Sequence, residues 1–249
     1  MGTFAHSILL LLSLSASAYA GIVELHLSIC EPSKARAVAK LGLPDRRGET
    51  RDVSYFDTRN LELYSNGLVL RLRVTKKKTQ FTVKIQGLTQ DWVSDAFLAL
   101  PGFKCERDRY GGRISESCSL NSSPSAEDVA AALNEARVER LFSREQIEFV
   151  QQYYRVPLDL SSVKVLGPVP SQYWKFDANH FDDVLTLEHW TVGPDFEIVE
   201  LSTRADAQDA DRVYDELRAY ALEKDLRICQ EQSSKTRSTL EYLAERSGQ

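Results

Sequence analysis

Residues 55–87, YFDTRNLELYSNGLVLRLRVTKKKTQFTVKIQG, alternate apolar with polar or charged side chains, and that alternation most constrains what the chain can fold into. In Gly67–Val74, Arg71 and Arg73 share one side while Leu68, Leu70 and Leu72 share the other. In Gln80–Gln86, Thr82, Lys84 and Gln86 share a side opposite Phe81, Val83 and Ile85. Successive strand side chains point to opposite faces, so each segment reads as a strand with one greasy and one cationic face. Cations on adjacent strands suit a multiply charged anion such as phosphate. An antiparallel sheet with one wet face gives the same pattern, and a single strand does not separate the two.

The remaining periodicities predict strands at Ile22–Ile29, Asp52–Tyr55, Gly102–Tyr110, Tyr153–Leu158, Gln172–Asp177, Asp183–Val192 and Phe196–Ser202. Helices are expected over Ser33–Leu41, Val129–Arg140 (capped by Ser125), Ser143–Phe149, Ala207–Leu222 and Ser238–Arg246. The polar stretch Asn121–Ser125 reads as a turn closing the first half, and Asp108–Ser125 as an insert without catalytic signature. The sequon Asn121-Ser122-Ser123 then falls in a loop, where it could carry a glycan.

The chain's 249 residues can bury a real core as one domain over 21–249, and the net charge of −5 gives no sign of a nucleic-acid partner. Any cation-lined site must therefore be local. Residues 1–20 hold a short leucine-rich core, Ile8–Leu14, ending in Ala18-Tyr19-Ala20. That pattern predicts a cleaved signal peptide and a secreted, periplasmic or lumenal protein with no stable membrane span, although a basic n-region is missing. Cys30, Cys105, Cys118 and Cys229 form the even set expected in an oxidising compartment. Three connectivities are open, and the one we expect is Cys105–Cys118 within a local loop and Cys30–Cys229 tying the first strand to the C-terminal region. No cysteine spacing resembles a zinc site.

YFDT at Tyr55–Thr58, LRLR at Leu70–Arg73, TVK at Thr82–Lys84, LTLEHW at Leu185–Trp190, FEIVEL at Phe196–Leu201 and SSKT at Ser233–Thr236 occur in this order. As an ordered set spanning nearly everything after residue 20, they resemble the CYTH superfamily of triphosphate tunnel metalloenzymes. The resemblance implies an α+β fold, an eight-stranded antiparallel β-barrel with flanking helices and charged residues inside. It also implies binding or hydrolysis of triphosphate or polyphosphate with Mg2+ or Mn2+. The matching positions imply phosphate contacts from Arg71, Arg73, Lys84 and Lys235, with Lys175 as a counterpart from the second half and His26 where the family has lysine. Metal ligation would fall to Glu24, Glu188 and Glu200.

The acidic side departs from the family. Its ExExK motif on the first strand is represented here by Ile22, Glu24 and His26, so one glutamate is isoleucine and the lysine is histidine. Glu197 falls on the opposite strand face from Glu200, and Glu106 is a further candidate of unfixed register. An ordinary histidine is mostly neutral at pH 7, so His26 would partly replace lysine only if protonated, as it would be in an acidic setting. Two function classes follow: an exported metal-dependent phosphohydrolase with an eroded site, or an inactive module that binds polyphosphate or an organic phosphate. Two weaker possibilities are a barrel serving only as scaffold for a site in the insert, and a nucleotide cyclase, for which no base-recognition pocket is visible.

Overall fold

A computed structural model describes residues 21–44 and 48–246. The expected signal segment, residues 1–20, lies outside the described residues. The strands are β1 (Ile22–Ile29), β2 (Glu49–Asp57), β3 (Leu68–Val74), β4 (Thr79–Gln86), β5 (Phe103–Tyr110), β6 (Arg113–Ser122), β7 (Lys164–Phe176), β8 (Leu185–Gly193) and β9 (Phe196–Asp206). The helices are α1 (Lys34–Lys40), α2 (Glu62–Ser65), α3 (Asp95–Leu98), α4 (Ala126–Glu135), α5 (Arg144–Tyr153), α6 (Ala210–Glu223) and α7 (Lys235–Arg246).

The strands close into one barrel in the order β1-β5-β6-β4-β3-β2-β7-β8-β9. This corrects the expected eight antiparallel strands in number and direction. An odd ring cannot alternate direction throughout, so at least one parallel pair is unavoidable; here it is β1 with β5, while the other pairs are antiparallel.

The extra strand is β6, which supplants the expected insert. Its sequence RISESCSLNS is rich in turn-forming serine, yet Cys118 and Leu120 pack into the outer core while Ser117 and Ser119 face inward. Pairing with β4 and β5 on both sides overrides weak local propensity. Asn121, expected in a loop, is therefore a strand residue. Its carboxamide accepts from Thr82 Oγ1 at 2.7 Å and donates to the Gly102 carbonyl at 2.9 Å.

Helix α5 runs to Tyr153 and residues 154–158 form no strand, correcting the strand expected at Tyr153–Leu158. The missing strand segment lies instead in the first part of β7, KVLGPVPS, whose prolines disguise it. A bulge opposite Val53 and Tyr55 accommodates Gly167 at φ 111°, where an added Cβ would lie 2.9 Å from the Val53 carbonyl oxygen. The extra residue leaves both Leu166 and Val169 facing the barrel axis.

Three apolar clusters organise this ring. Outward side chains of β3, β4 and β6, such as Leu70, Leu72, Phe81, Val83 and Leu120, pack under α4 and α5 through Ala132, Phe149 and Val150. Val23, Leu25, Leu27, Leu187 and Leu201 pack under α1 and α6. The third lies within the barrel, where Val53, Tyr55, Val69, Leu166, Val169, Trp190 and Val192 meet Leu240 of α7. Helix α7 thus closes one end with an apolar floor, leaving the other half of the lumen polar. Asp57 of the YFDT segment is structural: its carboxylate accepts the backbone N–H groups of Thr58, Leu63 and Tyr64 and so fixes the start of α2.

Phe81 is fully buried, with its ring edge-on to Phe56 and Phe142. Phe81→Ala is expected to cost about 3–5 kcal/mol, seen as a lower urea midpoint at unchanged m-value.

Candidate functional site

Above the apolar floor the barrel encloses a cavity of about 320 Å³. Strand alternation brings Glu24 and His26 of β1, Arg71 and Arg73 of β3, Lys84 of β4 and Lys175 of β7 to its wall, with Glu188 of β8 and Lys235 of α7. Glu200 of β9 lies just behind, 1 % exposed. The cavity also takes residues that sequence reading missed: Arg51, Lys104, Asp108, Tyr110, Tyr173 and Arg204. Several of these were legible, because the expected strand Gly102–Tyr110 places Lys104, Glu106, Asp108 and Tyr110 on one face. Reading Asp108 as the start of an insert concealed that face.

The acids are already compensated. Arg51 and Lys235 both bind the Glu188 carboxylate, and Trp190 Nε1 donates to it at 3.3 Å. Lys235 also bonds Glu200 at 2.5 Å. Glu188 and Glu200 are direct cross-strand neighbours, a repulsive arrangement for like charges that the Lys235 ammonium between them offsets. Burial alone would raise both acids, but Lys235 with Arg51 holds Glu188 down at about 2, and Lys235 with His26 lowers Glu200. The same two carboxylates outweigh the burial that would depress Lys235 and raise it above the usual lysine range.

His26 is the centre of the other half. Its Nδ1–H donates to Glu200 at 2.8 Å and its Nε2–H to Asp108 at 3.1 Å, while Tyr110 stacks on the ring at 4.5 Å. Burial would lower its pKa, but Glu200 and Asp108 outweigh that and raise it to about 10. Two carboxylate partners thus favour the protonated imidazolium at neutral pH, without an acidic setting. Asp108 is lowered in turn, since His26 and Lys84 (3.2 Å) overcome its burial. Lys84 also approaches Glu106 at 3.5 Å, and Arg204 binds Glu24 at 2.9 Å.

Arg71 and Arg73 differ from these paired cations. The Nε atom of each is buried without a hydrogen-bond partner, and neither guanidinium has a carboxylate partner among the described residues. Lys175 stands exposed at the open end, also without a carboxylate partner among them. The lumen thus offers unpaired guanidinium donors, in a geometry suited to oxyanions, beside carboxylates that each have a cationic partner, although Glu200 Oε2 is itself buried without a hydrogen bond.

The carboxylates expected to share a metal do not converge. Glu24 lies opposite Arg204 and Glu200 opposite Ser28, four residues apart on the ladder, or about 13 Å at the usual strand rise. Glu24 instead neighbours Asp108 across the parallel β1–β5 pair. Donor atoms of Glu24, His26 and Asp108 lie within 4.8 Å of one another. The imidazolium has no free lone pair, so the oxygen ligands there are the two carboxylates. Mg2+ commonly uses one or two carboxylates and takes its other ligands from water and phosphate, so Glu24 with Asp108 fits such an ion.

No protein-family model matches this sequence, and no curated protein matches it. Solved structures do. A candidate adenylyl cyclase from Hippeastrum, described as having a dominant triphosphatase activity, superimposes with a TM-score of 0.60 at 16 % identity, over 92 % of this chain and 96 % of that one. A candidate adenylate cyclase from Bacillus halodurans superimposes with a TM-score of 0.57 at 15 % identity, over 86 % and 95 %. The chain shares the barrel of these CYTH-type proteins.

Because the histidine pKa is raised, His26 stabilises the fold fully below the unfolded value near 6.5, and that contribution is lost as pH rises through about 10. Imidazole 15N shifts should accordingly report an imidazolium at pH 8. The stability gap between wild type and His26→Gln should narrow between pH 7 and 10. A neutral His26 at pH 8 would contradict the bridge.

Proposed function

We propose that this protein binds a short polyphosphate or an organic phosphate inside the barrel, using Arg71, Arg73, Lys84 and Lys175. The observation that carries this reading is the pair of buried, partnerless guanidinium nitrogens on β3. Desolvating such donors without an acceptor is costly, and phosphate oxygens supply the bidentate acceptor they lack. Lys235 keeps one donor free beyond its bonds to Glu188 and Glu200, so it can contact the anion. His26 has spent both N–H groups and acts by charge.

A divalent cation, Mg2+ or Mn2+, would be held by Glu24 and Asp108 together with phosphate oxygens, neutralising charge on the bound anion. Phosphoanhydride hydrolysis is the second reading. It is favoured by this carboxylate pair beside the cationic wall and by the triphosphatase activity described for the Hippeastrum protein. The compensated state of Glu188 and Glu200 supports binding over turnover. The two disulfides, Cys30–Cys229 and Cys105–Cys118, suit an oxidising compartment and accord with the expected export.

Titration calorimetry with tripolyphosphate, with and without Mg2+, tests the site. Arg71→Ala removes a charge-assisted contact and should weaken binding by roughly 10- to 100-fold, equivalent to about 1.5–3 kcal/mol. Glu24→Gln with Asp108→Asn should abolish any Mg2+ enhancement while leaving metal-free binding in place. Orthophosphate release that needs Mg2+ or Mn2+ would establish hydrolysis; binding without release would make the protein a phosphate-binding module. Unchanged affinity in Arg71→Ala would refute the site.

A further inference from the structure

The chain that leads to Lys235 is fastened to the end of β1. After α6, residues 227–232 run antiparallel to the end of β1. Cys30 N–H donates to the Arg227 carbonyl at 2.7 Å, Cys229 N–H donates to the Ser28 carbonyl at 3.0 Å, and Ile29 bridges Ile228. Gln232 extends the clasp: its Oε1 accepts from Ser28 N–H at 2.7 Å, and its Nε2 donates to the carbonyls of Ser28 (3.3 Å) and Cys229 (2.8 Å). The Cys30–Cys229 disulfide locks the same pairing covalently. Ser28, the residue clasped, lies directly opposite Glu200 on β9. Three residues beyond Gln232, α7 begins with Lys235.

That placement calls for outside help. A lysine in the first turn of a helix opposes the helix dipole, and a buried ammonium is tolerated only if its partners are held at the right distance. We propose that the Cys30–Cys229 disulfide and Gln232 are positioning residues for Lys235, and that opening this disulfide is a redox control on anion binding. The proposal rests on the anion-binding reading of the barrel. The two disulfides differ in access: Cys30 is exposed, whereas Cys118 is fully buried. A dithiol reductant attacks the accessible pair first. It delivers two electrons and two protons, giving two cysteine thiols and the cyclic disulfide of the reductant. The segment leading into α7 then loses its covalent tie to β1, and the Lys235 ammonium is less firmly held between Glu188 and Glu200.

The test uses two readouts on the purified protein. Mild dithiothreitol treatment, checked by mass mapping so that only Cys30 and Cys229 are alkylated, should speed acylation of the Lys235 amine about tenfold. Tripolyphosphate affinity should fall about five- to tenfold, and both changes should reappear in the double variant Cys30→Ser, Cys229→Ser, with a smaller effect in Gln232→Leu. In a Lys235→Met background the same cysteine replacements should leave the affinity unchanged, although they still lower the melting temperature. A merely structural staple would lower the melting temperature, leave Lys235 acylation unaltered and weaken binding equally in both backgrounds; that result overturns the proposal. Should the double variant fail to fold, the selectively reduced wild-type chain decides. If tripolyphosphate does not bind the wild type at all, the anion reading falls, and an unaltered Lys235 acylation rate still refutes the clamp.

Discussion

A charge facing the inside of a closed barrel must meet an opposite charge or water, and this constraint governs the polar half of the lumen. The bridge from Glu200 through His26 to Asp108 is where it acts most strongly. It spans β9, β1 and β5, the three strands at which the ring closes and where the sole parallel pairing among the described strands lies. Removing the imidazolium would leave Glu200 with Lys235 as its remaining hydrogen-bonded cation and Asp108 with Lys84. Both acids would then face burial with reduced compensation. The histidine therefore does for folding what a lysine would do, with the added rigidity of a planar ring stacked on Tyr110.

The division of the lumen follows from the same energetics. Charged side chains pair with one another around the cavity, and apolar side chains fill the end that α7 covers. Trp190 sits at the boundary, its ring 5.9 Å from the Lys235 ammonium and its indole N–H directed at Glu188. Such an amphipathic ring suits a place where one side is dry and the other wet. The floor is thereby linked to the ion pairs above it. This linkage lets a fastening on the outside of the barrel bear on a side chain within.

Much of this was legible from period-two alternation. The strands of Gly67–Val74 and Gln80–Gln86 lie close to where they were expected, and the inward direction of Arg71, Arg73 and Lys84 follows from it. What escaped was local chemistry overridden by neighbours. Serines in β6 and prolines in β7 signal turns, yet each segment is held between two partner strands that a sequence does not display. The charge state of His26 was hidden for a similar reason. Its two partners lie 82 and 174 residues away, and their joint effect overcomes the burial that would otherwise neutralise it.

The departures on β1 have a structural counterpart on β5. Ile22 stands exposed at the rim, 60 % accessible, and contributes nothing to the acidic side. Asp108 pairs in register with Glu24 from the adjacent parallel strand, so two carboxylates face each other across strands rather than along one. Parallel pairing keeps this spacing even along the ladder, and it brings His26 beside Tyr110 in the next inward pair. The acid pair, the imidazolium and its stacking ring thus arise from one register. A slip of that register by a single residue would turn Asp108 and Tyr110 away from the lumen and leave His26 with Glu200 and the more distant Glu24 (3.9 Å).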